Sequence, residues 1–145
     1  MTRIRVDTEL AAPVEEVWAD LRCIDSHVEW MHDAEAIRFT SERTEGVGTS
    51  FDCVTRVGPI RLTDRMEITE WTEPKVIGVR HVGLVTGEGR FTLEPAGADR
   101  TRFTWEEELT FPWWLGGPVG GAVGGRILAR VWRRNLASLS DRFGD

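Results

Sequence analysis

Three features of the sequence predict an α+β fold built on one antiparallel sheet. Segment after segment alternates apolar and polar residues, the period of a half-buried strand. The breaks between those segments are short, so successive strands run antiparallel as a meander. The stretch from Phe111 to Phe143 then changes period and reads as a long amphipathic helix with a glycine-rich start. The predicted order is one strand, two short helices, six more strands and the C-terminal helix.

The first strand is Arg3–Leu10, with Ile4, Val6 and Leu10 on one side and Arg5, Asp7 and Glu9 on the other. Ala12-Pro13 ends it. Pro13 suits the first turn of a helix, and Glu15 and Glu16 suit its positive end. Val14, Val17, Trp18 and Leu21 recur at helical spacing, which sets this helix at Pro13 to about Arg22. Asp25–Asp33 carries Trp30 and Met31 and reads as a second short helix or an irregular turn.

From Ala34 the period becomes two. Ile37 and Phe39 mark a strand that ends at Thr44-Glu45-Gly46. Strands Thr49–Val57, Ile60–Trp71, Lys75–Val82, Glu88–Pro95 and Thr101–Phe111 follow. They are parted by Gly58-Pro59, by Thr72-Glu73-Pro74, by Gly83 to Gly87, and by Ala96-Gly97-Ala98-Asp99. The last strand alternates most cleanly, with Phe103, Trp105, Glu107, Leu109 and Phe111 on one face.

A chain of 145 residues fits one domain, 1–145, large enough to bury a core without a metal or disulfide. Its net charge of −6 argues against a nucleic-acid partner. Cys23 and Cys53 form neither a CxxC pair nor a disulfide framework. The N-terminus lacks an apolar signal core, and no apolar run approaches the roughly 18 residues of a membrane span. A cytoplasmic protein without stable membrane insertion is the expectation.

Several stretches together resemble one superfamily. They are the opening strand followed by APVEEVWADL, the turn EGVGTSF, the stretch MEITEWTEPKVI, the segment GRFTLEPAGADRTRFTWEEEL, and the long last helix. Over nearly its whole length the chain looks like the START-like, polyketide cyclase/dehydrase and lipid-transport group. The resemblance implies a helix-grip fold, a curved sheet wrapped around the C-terminal helix with a cavity between them. That superfamily spans ligand carriers, cyclases and dehydratases, and no universal catalytic motif comes with it.

Alternation sorts each strand into two faces. Facing inward are Ile4 and Val6, then Ile37 and Phe39, then Phe51, Cys53 and Val57. Ile60, Leu62, Asp64, Met66 and Ile68 come next, and Asp64 interrupts an otherwise apolar face, where an unpaired carboxylate is costly. His81 shares a face with Ile77 and Val79, Gly89 with Phe91 and Leu93, and Glu107 with Trp105. Pairing across the turns puts Cys53 near Asp64, Asp64 near residues 81–83, His81 near Gly89, and Gly89 near Glu107. His81 and Glu107 then stand roughly 10 Å apart, with a side-chain-free gap at Gly89.

Two readings of this row stay open. In one, His81 is a general base oriented by Asp64, and Glu107 is an acid with a raised pKa, a set suited to proton abstraction or loss of water. In the other, His81 lies at a pocket mouth, Asp64 pairs with Arg65 or Arg80, and Glu107 makes a structural ion pair. Cys53, Asp64 and His81 match no metal-ligand spacing of known type, so neither a metal nor another cofactor is expected. Cys53 reads as a small buried thiol.

Phe51, Cys53, Met66, Gly89, Phe91 and Trp105 are the expected cavity walls. Trp30 and Trp113 lie on irregular segments, where entrances form. On the C-terminal helix, Leu128, Val131, Trp132, Asn135, Leu136, Leu139 and Phe143 form one stripe, opposite Arg126, Arg130, Arg133 and Arg134. The same wheel puts Gly121, Gly124 and Gly125 on the inward stripe. With Gly120, these glycines cost a helix roughly 4 kcal/mol against alanine. They either roof a cavity or allow close approach to the sheet. A small-xxx-small membrane dimer needs a longer apolar span than this one. A surface contact through Trp113, Trp114, Val119 and Val123 is a further option.

The leading expectation is a module that binds a small hydrophobic or aromatic ligand, lipid-like or polyketide-like. The first alternative is a cyclase/dehydratase-type enzyme that uses Asp64, His81 and Glu107. The second is a non-catalytic interaction domain with a closed core. A homodimer stays open.

Overall fold

The computed structural model describes residues 2–113 and 117–144, with side chains described throughout these except at residues 117–121. Seven strands form one antiparallel sheet: β1 (Thr2–Leu10), β2 (Ala34–Phe39), β3 (Ser50–Val57), β4 (Ile60–Thr72), β5 (Val76–Val82), β6 (Thr86–Pro95) and β7 (Thr101–Thr110). Their order is β1-β7-β6-β5-β4-β3-β2. β2 to β7 are thus the meander that the short turns require, and β1 closes it by pairing with β7. The sheet curves around the C-terminal helix α2 (Gly117–Asp141), and two short helices follow β1.

Helix α1 (Val14–Leu21) starts directly after Pro13, with Glu15 and Glu16 in its first turn. It buries the four residues at helical spacing, Val14, Val17, Trp18 and Leu21. The segment after it is a 3-10 helix, Ile24–Glu29. His27 turns inward there, and its Nε2–H donates to the Leu21 carbonyl at 2.8 Å, which keeps this tight turn packed on the end of α1.

The core gathers at the β1–β7–β6 end of the concave face. Trp30 is almost fully buried, edge-on to both Phe103 and Trp105. Trp132 of α2 stacks on Trp105, with ring centroids 4.1 Å apart and planes 10° apart. Leu136 and Leu139 continue the buried stripe. Asn135, the polar member of that stripe, is fully buried, and its oxygen and its nitrogen each have a partner. Its Oδ1 accepts from the His32 backbone at 2.9 Å, and its Nδ2 donates to Asp33 at 2.7 Å. Arg142 reaches Asp20 and Glu29, fastening the end of α2 to the short helices. Arg126, Arg130, Arg133 and Arg134 are exposed, as the wheel requires.

The largest departure from the expected register is at the β5–β6 hairpin. β6 begins at Thr86, two residues earlier than its pattern indicates, so His81 pairs with Gly87 and Val79 with Gly89. Cys53 opposite Asp64 and Gly89 opposite Glu107 hold as expected. A slip of two residues keeps every side chain on its own face, whereas a slip of one would have turned His81 outward.

Candidate functional site

Between the concave face and α2 lies a cavity of about 280 Å³. β3 contributes Phe51 and Cys53, β4 contributes Asp64 and Met66, and Leu128 and Trp132 close it from the helix side. The polar groups converge on one patch. His81 Nδ1 lies 2.9 Å from Asp64 Oδ2, its Nε2 is hydrogen-bonded to Glu107 Oε1, and Trp105 Nε1–H donates to Glu107 Oε2 at 2.9 Å.

Glycine makes this convergence possible. Glu107 faces Gly89 across the β6–β7 ladder, and a Cβ at Gly89 would overlap Glu107 Cγ. The Glu107 side chain therefore lies over β6 and reaches His81 on β5. The expected gap at Gly89 exists in the backbone, but Glu107 occupies it. Gly89 serves as a passage and does not line the cavity.

His81 and Glu107 are both buried. Burial disfavours the imidazolium, but the Glu107 charge and the hydrogen bonds to Asp64 and Glu107 together outweigh it and push His81 up to about 10. As a cation it donates from both nitrogens. A ring with both N–H groups engaged has no lone pair to offer. Arg65 and Arg80 do not pair with Asp64. They hold Asp52 at 3.1 Å and Glu67 at 2.7 Å on the outer face. Burial pushes the Cys53 thiol up to about 12, which leaves it a poor nucleophile.

The remaining expected wall residues divide. Phe91, Trp105 and Leu128 line the cavity with Phe51, Cys53 and Met66. Trp30 does not. The irregular segment that carries it folds under the sheet, and its ring is spent on the aromatic core. Trp113 stands 84% exposed, away from the cavity wall. Gly124 lines the cavity, with open space where a side chain would be. Gly125 packs against β1, where a Cβ would lie 2.7 Å from Thr2 Cγ2. Both explanations of the glycine stripe therefore hold, at adjacent residues. The side chain position of Gly121, and Trp114, lie outside the described residues.

The structure adds wall residues that periodicity missed. His27 and Met31 line the cavity from the segment after α1, which has no period to read. His27 is neutral there, since burial lowers its pKa despite the Leu21 carbonyl. Leu84 and Ile127 also line the cavity, and with Ile60, which alternation already turned inward, they are exposed and form an apolar rim. Ile60 and Leu84 stand in or beside hairpin turns, where an apolar residue is itself a signal. Among the described residues no helix is long and apolar enough to cross a membrane.

Comparison with known proteins agrees with this geometry. Residues 1–144 match the family model described as polyketide cyclase/dehydrase and lipid transport, and the chain belongs to that family. No curated protein sequence matches it. Among solved structures it is similar to a START superfamily protein from Mycobacterium smegmatis, with a TM-score of 0.82 at 13% identity, covering 99% of this chain and 97% of that one. XoxI from Bacillus cereus gives 0.79 at 14% identity, covering 100% and 97%. A truncated norcoclaurine synthase from Thalictrum flavum gives 0.72 at 16% identity, covering 99% and 94%. At such identities these likenesses establish a shared fold.

Proposed function

We propose that this member of the polyketide cyclase/dehydrase and lipid-transport family binds a small hydrophobic or aromatic ligand in the cavity between the sheet and α2. The observation that carries this reading is a space of about 280 Å³ walled largely by apolar side chains, beside a densely packed core. Filling such a space with protein side chains would stabilise the fold. Gly124 instead leaves room where any other residue would intrude. The apolar rim at Ile60, Leu84 and Ile127 gives a ligand of this kind a compatible entrance. Two unpaired cysteines suit a cytoplasmic setting.

Native mass spectrometry of freshly purified protein, with a thermal-shift panel of hydrophobic compounds, tests this reading. A co-purifying small molecule, or stabilisation by several panel members, is expected. Neither appearing would count decisively against it.

The convergence of Asp64, His81 and Glu107 on the same cavity favours a second reading, a cyclase or dehydratase. A cationic His81, with the substrate oxygen displacing Asp64 from Nδ1–H, would give that proton to a leaving hydroxyl or a developing enolate while Glu107 holds Nε2. On a substrate found by screening, His81→Ala and Glu107→Gln should then each lower turnover at least 100-fold. Unchanged turnover in folded variants would remove the acid role and leave the carrier.

A further inference from the structure

The polar atoms on the cavity wall are not equally engaged. Both His81 nitrogens have partners, as do both Glu107 oxygens, and Asp64 Oδ2 holds His81. Asp64 Oδ1 is buried with no hydrogen-bond partner among the described residues. A buried carboxylate oxygen without a donor is costly, so such an atom normally marks the place of a missing partner. Asp64 is itself a wall residue with 19% of its side chain exposed, so its carboxyl stands at the cavity surface.

The charges around that atom have a sign. Asp33, Asp64 and Glu107 are the acidic wall residues, and His81 is the imidazolium among them. His27 is neutral. Cys53, across the ladder from Asp64, stays a thiol and accepts from Thr55 Oγ1 at 3.7 Å. Arg90 belongs to the wall, but its guanidinium turns to Glu70 at 2.8 Å and its side chain is half exposed. The interior therefore carries more negative charge than positive, and it offers an acceptor where a fatty-acid carboxylate or a phosphate would need donors.

From this we infer that the ligand is an apolar molecule bearing a hydrogen-bond-donating hydroxyl or ammonium group and no negative charge, with Asp64 Oδ1 accepting the donor. The inference rests on the cavity being a hydrophobic ligand site and adds the polar end of that ligand.

Four matched probes test it: 2-naphthol, 2-naphthylmethylammonium, 2-naphthoate and 2-methylnaphthalene, titrated calorimetrically into the unmodified protein at pH 7. Both donor-bearing probes should bind at least tenfold tighter than 2-methylnaphthalene, and 2-naphthoate should bind weakest. In Asp64→Asn the carboxamide oxygen can keep His81 and turn its NH2 group inward. The 2-naphthol advantage should then shrink to within about threefold, while 2-methoxynaphthalene, an acceptor, should gain.

If 2-naphthoate matches 2-naphthol, or 2-methylnaphthalene matches both donors, the inference is overturned and the hydrophobic site stands. If a folded Asp64→Asn keeps the full 2-naphthol preference, the assignment to Asp64 is overturned. If none of the four binds, the cavity reading falls and this inference falls with it. The wild-type series needs no variant, so a misfolded Asp64→Asn leaves the main comparison intact.

Discussion

The concave face has two ends made from the same strands in opposite ways. At the β1–β7–β6 end, Trp30, Phe91, Phe103, Trp105 and Trp132 fill the space ring against ring. At the β3–β5 end, Phe51, Cys53, Met66 and Val79 face a void, and α2 crosses above it with Gly124. Large rings hold the helix to the sheet at one end, and a missing side chain leaves the space between them unfilled at the other. The difference teaches that tight packing and free space fall to separate ends of one sheet. The Asp64–His81–Glu107 chain lies across the boundary, from the open strands to the closed ones.

The sharpest way to break this comparison is to truncate one residue from each end. Trp132→Ala removes a buried ring stacked on Trp105 and should cost about 3–5 kcal/mol in chemical denaturation. Met66→Ala enlarges a space that already exists and should cost clearly less, under about 2 kcal/mol, because one side of Met66 has no packing partner to lose. Equal costs would show that the open end is as tightly built as the closed one.

A second test acts on the boundary. Gly89→Ala forces Glu107 off β6, so it should destabilise by about 1–3 kcal/mol through overpacking. It should also return the His81 titration, followed by NMR, toward its usual range. A stable variant with an unchanged His81 would mean that Glu107 reaches its partner without the glycine passage.

The boundary also has a pH signature. His81 is raised from 6.5 to about 10 on folding, so its contribution to stability is complete below 6.5 and is lost as pH rises through 10. The melting temperature of the parent should therefore fall between pH 7 and pH 10.5 more steeply than that of His81→Gln. Parallel curves would contradict a cationic His81.

The smallest expected effect separates two neighbours on α2. Gly124→Ala meets nothing and gains helix propensity, so it should stabilise by up to about 1 kcal/mol while weakening ligand binding. Gly125→Ala gains the same propensity but presses on Thr2, so it should stabilise less and leave binding unchanged.

These neighbours also mark what the sequence made legible. A helical wheel puts both glycines inward, but only the sheet beneath decides which one meets Thr2 and which meets space. Period-two alternation fixes the face of a residue and not its partner. It placed Asp64, His81 and Glu107 on one surface even though the β5–β6 turn is two residues shorter than its pattern indicates. What it left out was the reach of the Glu107 side chain over Gly89, which shortened an expected separation of roughly 10 Å to a hydrogen bond. Trp30 was misplaced for another reason. Its segment has no period, so burial there depends on contacts with β6 and β7 far away in the chain. The long aromatic residues read as entrance or wall by their position, and the structure spends Trp30 on the core instead.

The central claim is that the open end, and not the closed one, takes the ligand. Methyl-labelled methionine tests it most directly, because Met31 and Met66 both line the cavity. On titration with 2-naphthol, both methyl resonances should shift and saturate together, and the indole signal of Trp30, which is buried in the closed core and does not line the cavity, should move less. Saturable binding with both methyl signals unchanged would contradict the account, since the ligand would then sit elsewhere on the protein.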